Sequence, residues 1–264
     1  MSSVHGIIGT NMKSNVIFAV AVPSKHLTDV GEYSSYSLRS WKSYADRVGA
    51  KLVVMEEPVT DPDQMKMTWQ RWYVHDILEN SGIEYDNILM VDVDTIVHWA
   101  APDIFKVILN PGSWFSACVD NDNLGWLKAS IDGYQHMFPE ITLDWEKYFN
   151  CGVILMGKKH KDLCKEITTF YEENEGHLLD LQHNTLKKGS DQTPVNYILN
   201  SGKWKYKLLP KKWNLTHMNR KEVLNNFIFK DVGWVYHFNG FDKSIRTQVM
   251  KAFWDNFKGN YEVK

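Results

Sequence analysis

Runs of consecutive apolar residues and stretches of helical periodicity alternate along the first part of the chain. Residues 15–22 are mostly apolar and end at Pro23, and residues 51–55 form a second short apolar run, which predicts two buried strands. Between them, over residues 33–48, apolar and aromatic residues recur at helical spacing until Gly49. The order strand, helix, strand predicts an α/β fold with a doubly wound, mostly parallel central sheet.

The same patterns predict the remaining elements. Helical periodicity and helix-start signals predict helices over residues 65–78, 103–109 and 161–171, and from Ser190 or Asp191 onward. Apolar runs predict strands over residues 87–97, 114–119, 153–156 and 233–240. We therefore expect a single α/β domain whose central sheet is flanked by helices.

Two acids follow four consecutive apolar residues in the segment 87–97. Alternation along a strand places Asp92 and Asp94 on one face, separated by a rise of ~6.6 Å. Carboxyl ends of strands are ligand sites in open α/β sheets, so we predict an Asp-x-Asp metal site able to meet a polyphosphate. Acids in a solvated turn are the alternative. Because residues 95–97 resume a β-prone apolar run, we expect no turn at the acids.

Three further positions are candidates for ligand contacts. Arg71 lies among aromatic residues of the predicted helix 65–78 and offers a planar fork to a diphosphate, although a solvated helical face is the simpler account. Asp120 ends a predicted strand and can bind sugar hydroxyls, although a turn explains its polar neighbours equally well. Next to Asn150, Gly152 lacks a Cβ, which lets a ligand or a backbone approach closely.

The amino-acid composition narrows the classes of partner and the compartment that we expect for this protein. The chain of 264 residues has 30 basic and 32 acidic residues, so nothing indicates a nucleic-acid partner. Three cysteines without paired spacing favour a reducing compartment, and with no secretory pattern near residue 1 we expect a cytoplasmic protein. Basic and aromatic residues alternate over residues 203–213, which predicts a solvated strand pair and allows at most peripheral membrane contact.

Four segments occur together in an order and approximate spacing that resemble a known enzyme group: Val91-Asp-Val-Asp94, Tyr148-Phe-Asn-Cys-Gly-Val153, Asp191-Gln192, and His237-Phe-Asn-Gly240 followed by Lys243. The chain resembles the nucleotide-sugar glycosyltransferases of the A-type fold, most closely the family that holds glycogenin and bacterial lipopolysaccharide galactosyltransferases. The resemblance implies one Rossmann-like domain. We expect this domain over residues 15–250, with a nucleotide-binding half at 15–100 and an acceptor and sugar half at 101–250. A tail at 1–14 precedes it and an extension at 251–264 follows it.

The resemblance also implies a ligand set for the metal. Asp92 and Asp94 match the metal-binding acids of the family, and His237 matches its third protein ligand. The implied cofactor is Mn²⁺ or Mg²⁺, and an imidazole beside two carboxylates favours Mn²⁺.

Roles around the donor sugar follow by the same resemblance. Asn150 matches the asparagine near the donor sugar, and Asp191 with Gln192 matches the pair at the reacting carbon. Gly240 and Lys243 match the loop that closes on the diphosphate. Cleavage of a sugar–phosphate bond leaves negative charge on the diphosphate, which Lys243 and a metal ion stabilise, and positive charge on the ring, which Gln192 or Asp191 faces.

One departure from the family concerns the nucleotide base. Relatives commonly end the first strand with acidic and polar residues that hold the base, whereas this chain has Ala21-Val22-Pro23. Donor contacts near Ala21 would therefore come from the backbone, Ser24 or Lys25. We still favour a UDP-sugar donor, a carbohydrate or lipid-linked acceptor, and retention of anomeric configuration, as the resemblance implies.

Two other functions use the same residues. A phosphatase of the haloacid dehalogenase type also has an apolar strand followed by an Asp-x-Asp sequence, but it needs a second acidic pair that this sequence does not supply. A non-catalytic sugar-binding module can use the aromatic and Asn/Asp residues. It has no need to combine the acid pair with His237 and Lys243.

Overall fold

The computed structural model describes residues 14–23, 30–186, 191–219 and 224–262. Within these ranges the strands are β1 (Asn15–Val20), β2 (Lys51–Met55), β3 (Asn87–Asp92), β4 (Thr95–Val97), β5 (Phe115–Val119), β6 (Phe149–Gly157), β7 (Tyr206–Leu209) and β8 (Val235–His237). The helices are α1 (Val30–Val48), α2 (Met67–Gln70), α3 (Val74–Asn80), α4 (Ile104–Val107), α5 (Leu124–Tyr134), α6 (Lys161–Asp180), α7 (Gln192–Asn200) and α8 (Lys243–Phe257).

The described strands form one large sheet and one small sheet. The large sheet has the order β2-β1-β3-β6-β5-β7, and β6 alone among these strands runs antiparallel to its neighbours. The prediction of a mostly parallel central sheet flanked by helices is therefore confirmed. In the small sheet, β4 pairs antiparallel with β8.

Both faces of the large sheet are covered. On β1, Val16 and Phe18 pack into one hydrophobic cluster, while Ile17 and Ala19 pack into the other. The first cluster includes residues of α3, α6 and α7, and the second includes residues of α1, α8 and the small sheet. The consecutive apolar runs in the sequence are explained by this three-layer arrangement, because neither face of such a strand meets water.

The prediction that the chain does not turn at the acids is wrong. Strand β3 ends at Asp92, the chain turns at Val93 and Asp94, and Thr95 begins β4 in the other sheet. The Thr95 hydroxyl donates to the backbone carbonyl of Asp92 at 2.5 Å, and the Trp41 indole donates to the Thr95 hydroxyl at 2.9 Å. The first bond closes the turn locally, and the second ties it to α1.

Several other element bounds differ from the sequence prediction. The predicted helix 65–78 consists of α2, a 3-10 turn at Arg71–Tyr73, and α3. Strand β6 is longer than residues 153–156 and carries Asn150 and Gly152 within it. Residues 203–213 contain one edge strand, β7, instead of a strand pair, and its exposed and half-buried side chains alternate as predicted.

The C-terminal segment packs on the domain. The predicted boundary between residues 250 and 251 lies inside α8, and Phe253, Trp254 and Tyr261 are buried in the cluster that contains Trp41 of α1. The Tyr261 hydroxyl donates to the backbone carbonyl of Val97 at 2.9 Å. In the described part of the chain, no helix combines the length and apolar character that crossing a membrane requires.

Two glycines with opposite surroundings provide a test of this packing. A Cβ on Gly157 would lie 2.4 Å from the carbonyl oxygen of Gly112, whereas a Cβ on Gly176, in the exposed part of α6, would have no heavy atom within 4 Å. We expect Gly157→Ala to lower the free energy of unfolding by ~1–3 kcal/mol through overpacking. Gly176→Ala should raise it by ~0.5–1 kcal/mol because alanine favours the helix. Urea denaturation of both variants measures the difference, and equal effects would contradict the close contact.

Candidate active site

One cavity of about 380 Å³ lies beside the turn that follows β3. Ten of the twelve predicted site residues line it: Arg71, Asp92, Asp94, Asp120, Asn150, Gly152, Asp191, Gln192, His237 and Gly240. Ala21 is not among the lining residues, and its backbone N–H donates to the carbonyl of Met55 at the end of β2. Lys243 is the first residue of α8, but its side chain lies outside the described part of the structure, as do Ser24, Lys25 and Ser190.

The small sheet brings His237 to the acids. In the pairing of β4 with β8, His237 lies opposite Thr95, and the Phe238 N–H donates to the backbone carbonyl of Asp94 at 2.8 Å. The ring Nε2 is 3.1 Å from Asp94 Oδ1 and 3.7 Å from Asp92 Oδ2. One ligand atom from each of the three side chains lies within 4.8 Å of the other two.

Two arginines hold the outer oxygens of the acids. Arg71 Nη1 is 2.6 Å from Asp92 Oδ1, and Arg246 Nη1 is 3.2 Å from Asp94 Oδ2. The other carboxylate oxygen of each acid therefore faces His237 Nε2. Arg246 was not among the predicted site residues. The signal for it was its place one helical turn after Lys243, on the face of α8 that Lys243 begins.

Burial and ion pairing oppose each other at these three side chains. Burial lowers the pKa of His237, but the carboxylates of Asp94 and Asp92 outweigh it and hold the pKa above its ordinary value. Burial raises the pKa of Asp94, but His237 and Arg246 outweigh it and hold the pKa below its usual range. For Asp92 burial prevails, and the pKa is raised despite Arg71 and His237. A divalent cation bound beside these two carboxyl groups would favour their ionised forms.

The donor set fits a divalent cation. Two carboxylate oxygens and one imidazole nitrogen converge from one side, and transition-metal dications accept this mixture of oxygen and nitrogen ligands. The thiol of Cys151 lies close by, but burial raises its pKa well above the ordinary value. A protonated, buried thiol is neither a nucleophile nor a metal ligand.

Arg71 links the acid turn to the start of α7. Its Nε and Nη2 donate to Asp191 Oδ2 at 3.0 and 2.6 Å, and Nη1 also donates to the backbone carbonyl of Cys151 at 3.0 Å. Asp191 also accepts from the Trp72 indole at 2.8 Å. Asp191 is the N-cap of α7 by position, as predicted, but its side chain makes no capping hydrogen bond. Arg71 is 4% exposed, so its predicted contact with a diphosphate stays a prediction.

A second cluster of polar side chains borders the cavity. Asp120 Oδ2 accepts from Asn150 Nδ2 and from Gln192 Nε2, each at 3.1 Å. Gln192 Oε1 in turn accepts from Asn150 Nδ2 at 3.0 Å. Burial raises the pKa of Asp120, but hydrogen bonds from His217, Asn150 and Gln192 outweigh it and lower the pKa. The cluster thus presents a carboxylate and two amides side by side, which suits paired hydrogen bonds to sugar hydroxyls.

Residues outside the set of predicted site residues also lie around the cavity. His217 Nε2 is 3.4 Å from Asp120 Oδ1, and Trp126 and Asn219 line the cavity wall. Asn214 begins an Asn-Leu-Thr sequence that fits a glycosylation sequon. It is fully buried and hydrogen-bonded beside His237. Asn123, for which a turn was an equal account, accepts from the Trp126 N–H at 3.1 Å as the N-cap of α5.

The buried position of Arg71 gives a stability prediction. Arg71→Met would leave the carboxylates of Asp92 and Asp191 without their guanidinium, and we expect a loss of ~3–5 kcal/mol in the free energy of unfolding. Lys42→Met is the matched control, because Lys42 pairs with Asp46 at the surface with 64% of its side chain exposed. That variant should change stability by less than ~1 kcal/mol. Urea denaturation of both variants measures the contrast, and similar losses would contradict a structural ion pair at Arg71.

The sequence of this chain matches one known protein family. The family model described as Glycosyl transferase family 8 matches residues 8–244, which is most of the chain. No curated protein sequence gives a significant match. The family match confirms the resemblance that the four sequence segments indicated.

Solved structures share the fold at low sequence identity. A glycosyltransferase involved in the glycosylation of the major capsid of PBCV-1 is 12% identical, with a TM-score of 0.57 over 90% of this chain and 99% of that protein. The bifunctional glycosyltransferase WbbM is 16% identical, with a TM-score of 0.56 over 97% of this chain. The chain spans about half of WbbM, 51% of its length. By its match over residues 8–244, the chain belongs to glycosyl transferase family 8 and is a glycosyltransferase.

Proposed function

We propose that this glycosyltransferase moves a sugar from a nucleotide-diphosphate sugar to a hydroxyl of a glycan, lipid-linked or protein acceptor, with a divalent ion held by Asp92, Asp94 and His237. The observation that carries the proposal is the convergence of these three side chains within 4.8 Å, in the cavity that also contains the amide cluster. Family membership sets aside the phosphatase and the non-catalytic module. A UDP-sugar donor and a cytoplasmic location stay predictions from the sequence.

The metal site supports charge stabilisation on the leaving diphosphate. Asp92, Asp94 and His237 would hold the ion, and the imidazole favours Mn²⁺ over Mg²⁺. When bound, the ion would supply Lewis-acid chemistry toward phosphate oxygens. Gly240 has φ +72°, which favours glycine, and the backbone there turns into the helix that Lys243 begins. In our proposal Lys243 neutralises the diphosphate as its charge grows.

The amide cluster supports recognition of the donor sugar. Asp120, Asn150 and Gln192 orient one another through the hydrogen bonds described above, so their remaining donors and acceptors are fixed before a sugar arrives. Of the pair predicted at the reacting carbon, Gln192 is half-buried at the cavity, whereas Asp191 is 2% exposed and bonded to Arg71. We therefore assign contact with the sugar to Gln192 and a positioning role, through Arg71, to Asp191. Retention of anomeric configuration, which the resemblance implies, stays a prediction.

Metal dependence is the first test of this function. Release of sugar from a panel of nucleotide sugars should require a divalent ion and stop in EDTA. Asp94→Ala and His237→Ala should each lower turnover by at least ~10²-fold, the scale seen when one group that stabilises transition-state charge is removed. Asp132→Ala is the matched control, because Asp132 pairs with Lys128 at the surface. Full activity in EDTA, with the Asp94 and His237 variants unimpaired, would remove the metal from the proposal.

The pKa of His237 gives a second test. A raised pKa means that the ring stays protonated above the ordinary value of ~6.5, so Mn²⁺ must displace a proton to bind. Mn²⁺ affinity should therefore rise as pH increases and level off only above ~6.5. Titrations followed by electron paramagnetic resonance from about pH 5.5 to about 8.5 measure this rise. In His237→Ala the weaker residual binding should lose this part of the pH dependence. Equal pH profiles for the two proteins would argue against a ligand role.

A further inference from the structure

The second ring nitrogen of His237 faces the side chain of Asn214. We infer that Asn214 is a positioning residue that holds a proton on His237 Nδ1 and thereby aims Nε2 at Asp92 and Asp94. The inference rests on the proposed function, because it assigns a purpose to a neighbour of the proposed metal ligand. This role lies inside the molecule and is separate from the glycosylation sequon that Asn214 begins.

Backbone pairing fixes Asn214 beside the strand that carries His237. Directly after Asn214, the Leu215 N–H donates to the carbonyl of Val235 at 2.8 Å, and the His237 N–H donates to the carbonyl of Leu215 at 2.9 Å. The side chain of Asn214 is 0% exposed. Its amide therefore has no water to satisfy it and must bond to protein groups.

The orientation of the Asn150 and Asn214 side-chain amides follows from one neighbouring group that can only donate. A backbone N–H can only donate, and the N–H of Gly152 lies 2.7 Å from Asn150 Oδ1. At the other end of the same amide, Nδ2 lies 3.1 Å from the carboxylate of Asp120, which accepts. Both neighbours thus require the same orientation of the Asn150 amide, with its oxygen toward Gly152.

The orientation of the Asn150 amide determines which ring nitrogen of His237 carries the hydrogen. Because Asn150 Oδ1 is an acceptor, the group 2.8 Å from it must be the Nδ2 of Asn214, which donates. The Oδ1 of Asn214 then lies 3.0 Å from His237 Nδ1, and an amide oxygen can only accept. His237 Nδ1 must therefore carry the hydrogen. In the neutral ring Nε2 is left with its lone pair, and Nε2 is the nitrogen 3.1 Å from Asp94 Oδ1.

Gly152 also lies against the imidazole ring of His237. A Cβ at this position would lie 2.2 Å from His237 Cε1 and 2.7 Å from Nδ1, so the missing side chain makes room for the imidazole. The sequence analysis predicted a close approach at Gly152 by a ligand or a backbone, and the structure places a histidine ring there. With Gly152 against the ring and Asn214 bonded to Nδ1, the ring is held before any metal binds, which favours metal affinity.

The first experiment needs no metal and no activity. In metal-free protein labelled with ¹⁵N-histidine, the Nδ1–H of His237 should appear as a slowly exchanging imidazole proton, assigned by its loss in His237→Gln. Asn214→Ala should remove or rapidly exchange this proton. Asn214→Asp should keep it, because a carboxylate oxygen still accepts from Nδ1–H. An unmutated protein whose His237 Nδ1 carries no hydrogen would overturn the inference.

The second experiment measures the consequence for metal binding. Asn214→Ala should weaken Mn²⁺ affinity by ~10–100-fold, the usual effect of removing a group that orients a metal-bound histidine, and Asn214→Asp should recover part of it. Asn87→Ala is the control, because Asn87 is also buried and bonds to another asparagine, Asn15, at the far end of β3. Unchanged affinity in Asn214→Ala would overturn the inference. Failure of the unmutated protein to bind Mn²⁺ would instead overturn the proposed metal site, while the proton signal still reports on Asn214.

Discussion

Mutual repulsion of two carboxylates is the constraint around which this structure is arranged. Asp92 and Asp94 extend from one tight turn, and each has an oxygen near the same imidazole nitrogen. Charges so close in a partly buried site are unfavourable unless each has a partner. Arg71 reaches Asp92 from the α2–α3 segment and Arg246 reaches Asp94 from α8. One oxygen of each acid is thereby paired with an arginine. The other oxygen of each acid faces His237 Nε2 and is left for a metal ion.

The groups that pair with the two carboxylates come from different layers of the fold. Arg71 approaches from the face of the sheet covered by α6 and α7, whereas Arg246 and His237 approach from the face with α1 and the small sheet. The turn after β3 is where these layers meet, because the chain leaves the large sheet there and enters the small one. The proposed metal site at this junction needs residues from distant parts of the chain, so it forms only when both sheets and their helices are folded.

Polar side chains connect the acid turn to the opposite wall of the cavity. One path runs through Arg71 to Asp191 at the start of α7, and another runs from His237 through Asn214 and Asn150 to Asp120 and Gln192. Each amide in the second path both donates and accepts, so a change at one member alters the hydrogen bonds of the next. In the proposed reaction this arrangement ties the orientation of the metal ligand to the residues assigned to the sugar.

The sequence by itself determined the α/β class, the buried strands and the identity of most cavity residues. Apolar runs such as residues 88–91 have no polar face to expose, so they must lie in the middle layer, and the acids after them must fall at its edge. Only the tertiary structure decided that the chain turns at Asp94, that His237 lies opposite Thr95, and that Arg246 and Asn214 complete the surroundings of the site. These are contacts between residues far apart in sequence, fixed by strand register and layer packing. Local patterns of apolar and polar residues do not encode register between distant strands. The sequence therefore named the acids, but it predicted neither the pairing of Arg71 with Asp92 nor the part played by Arg246.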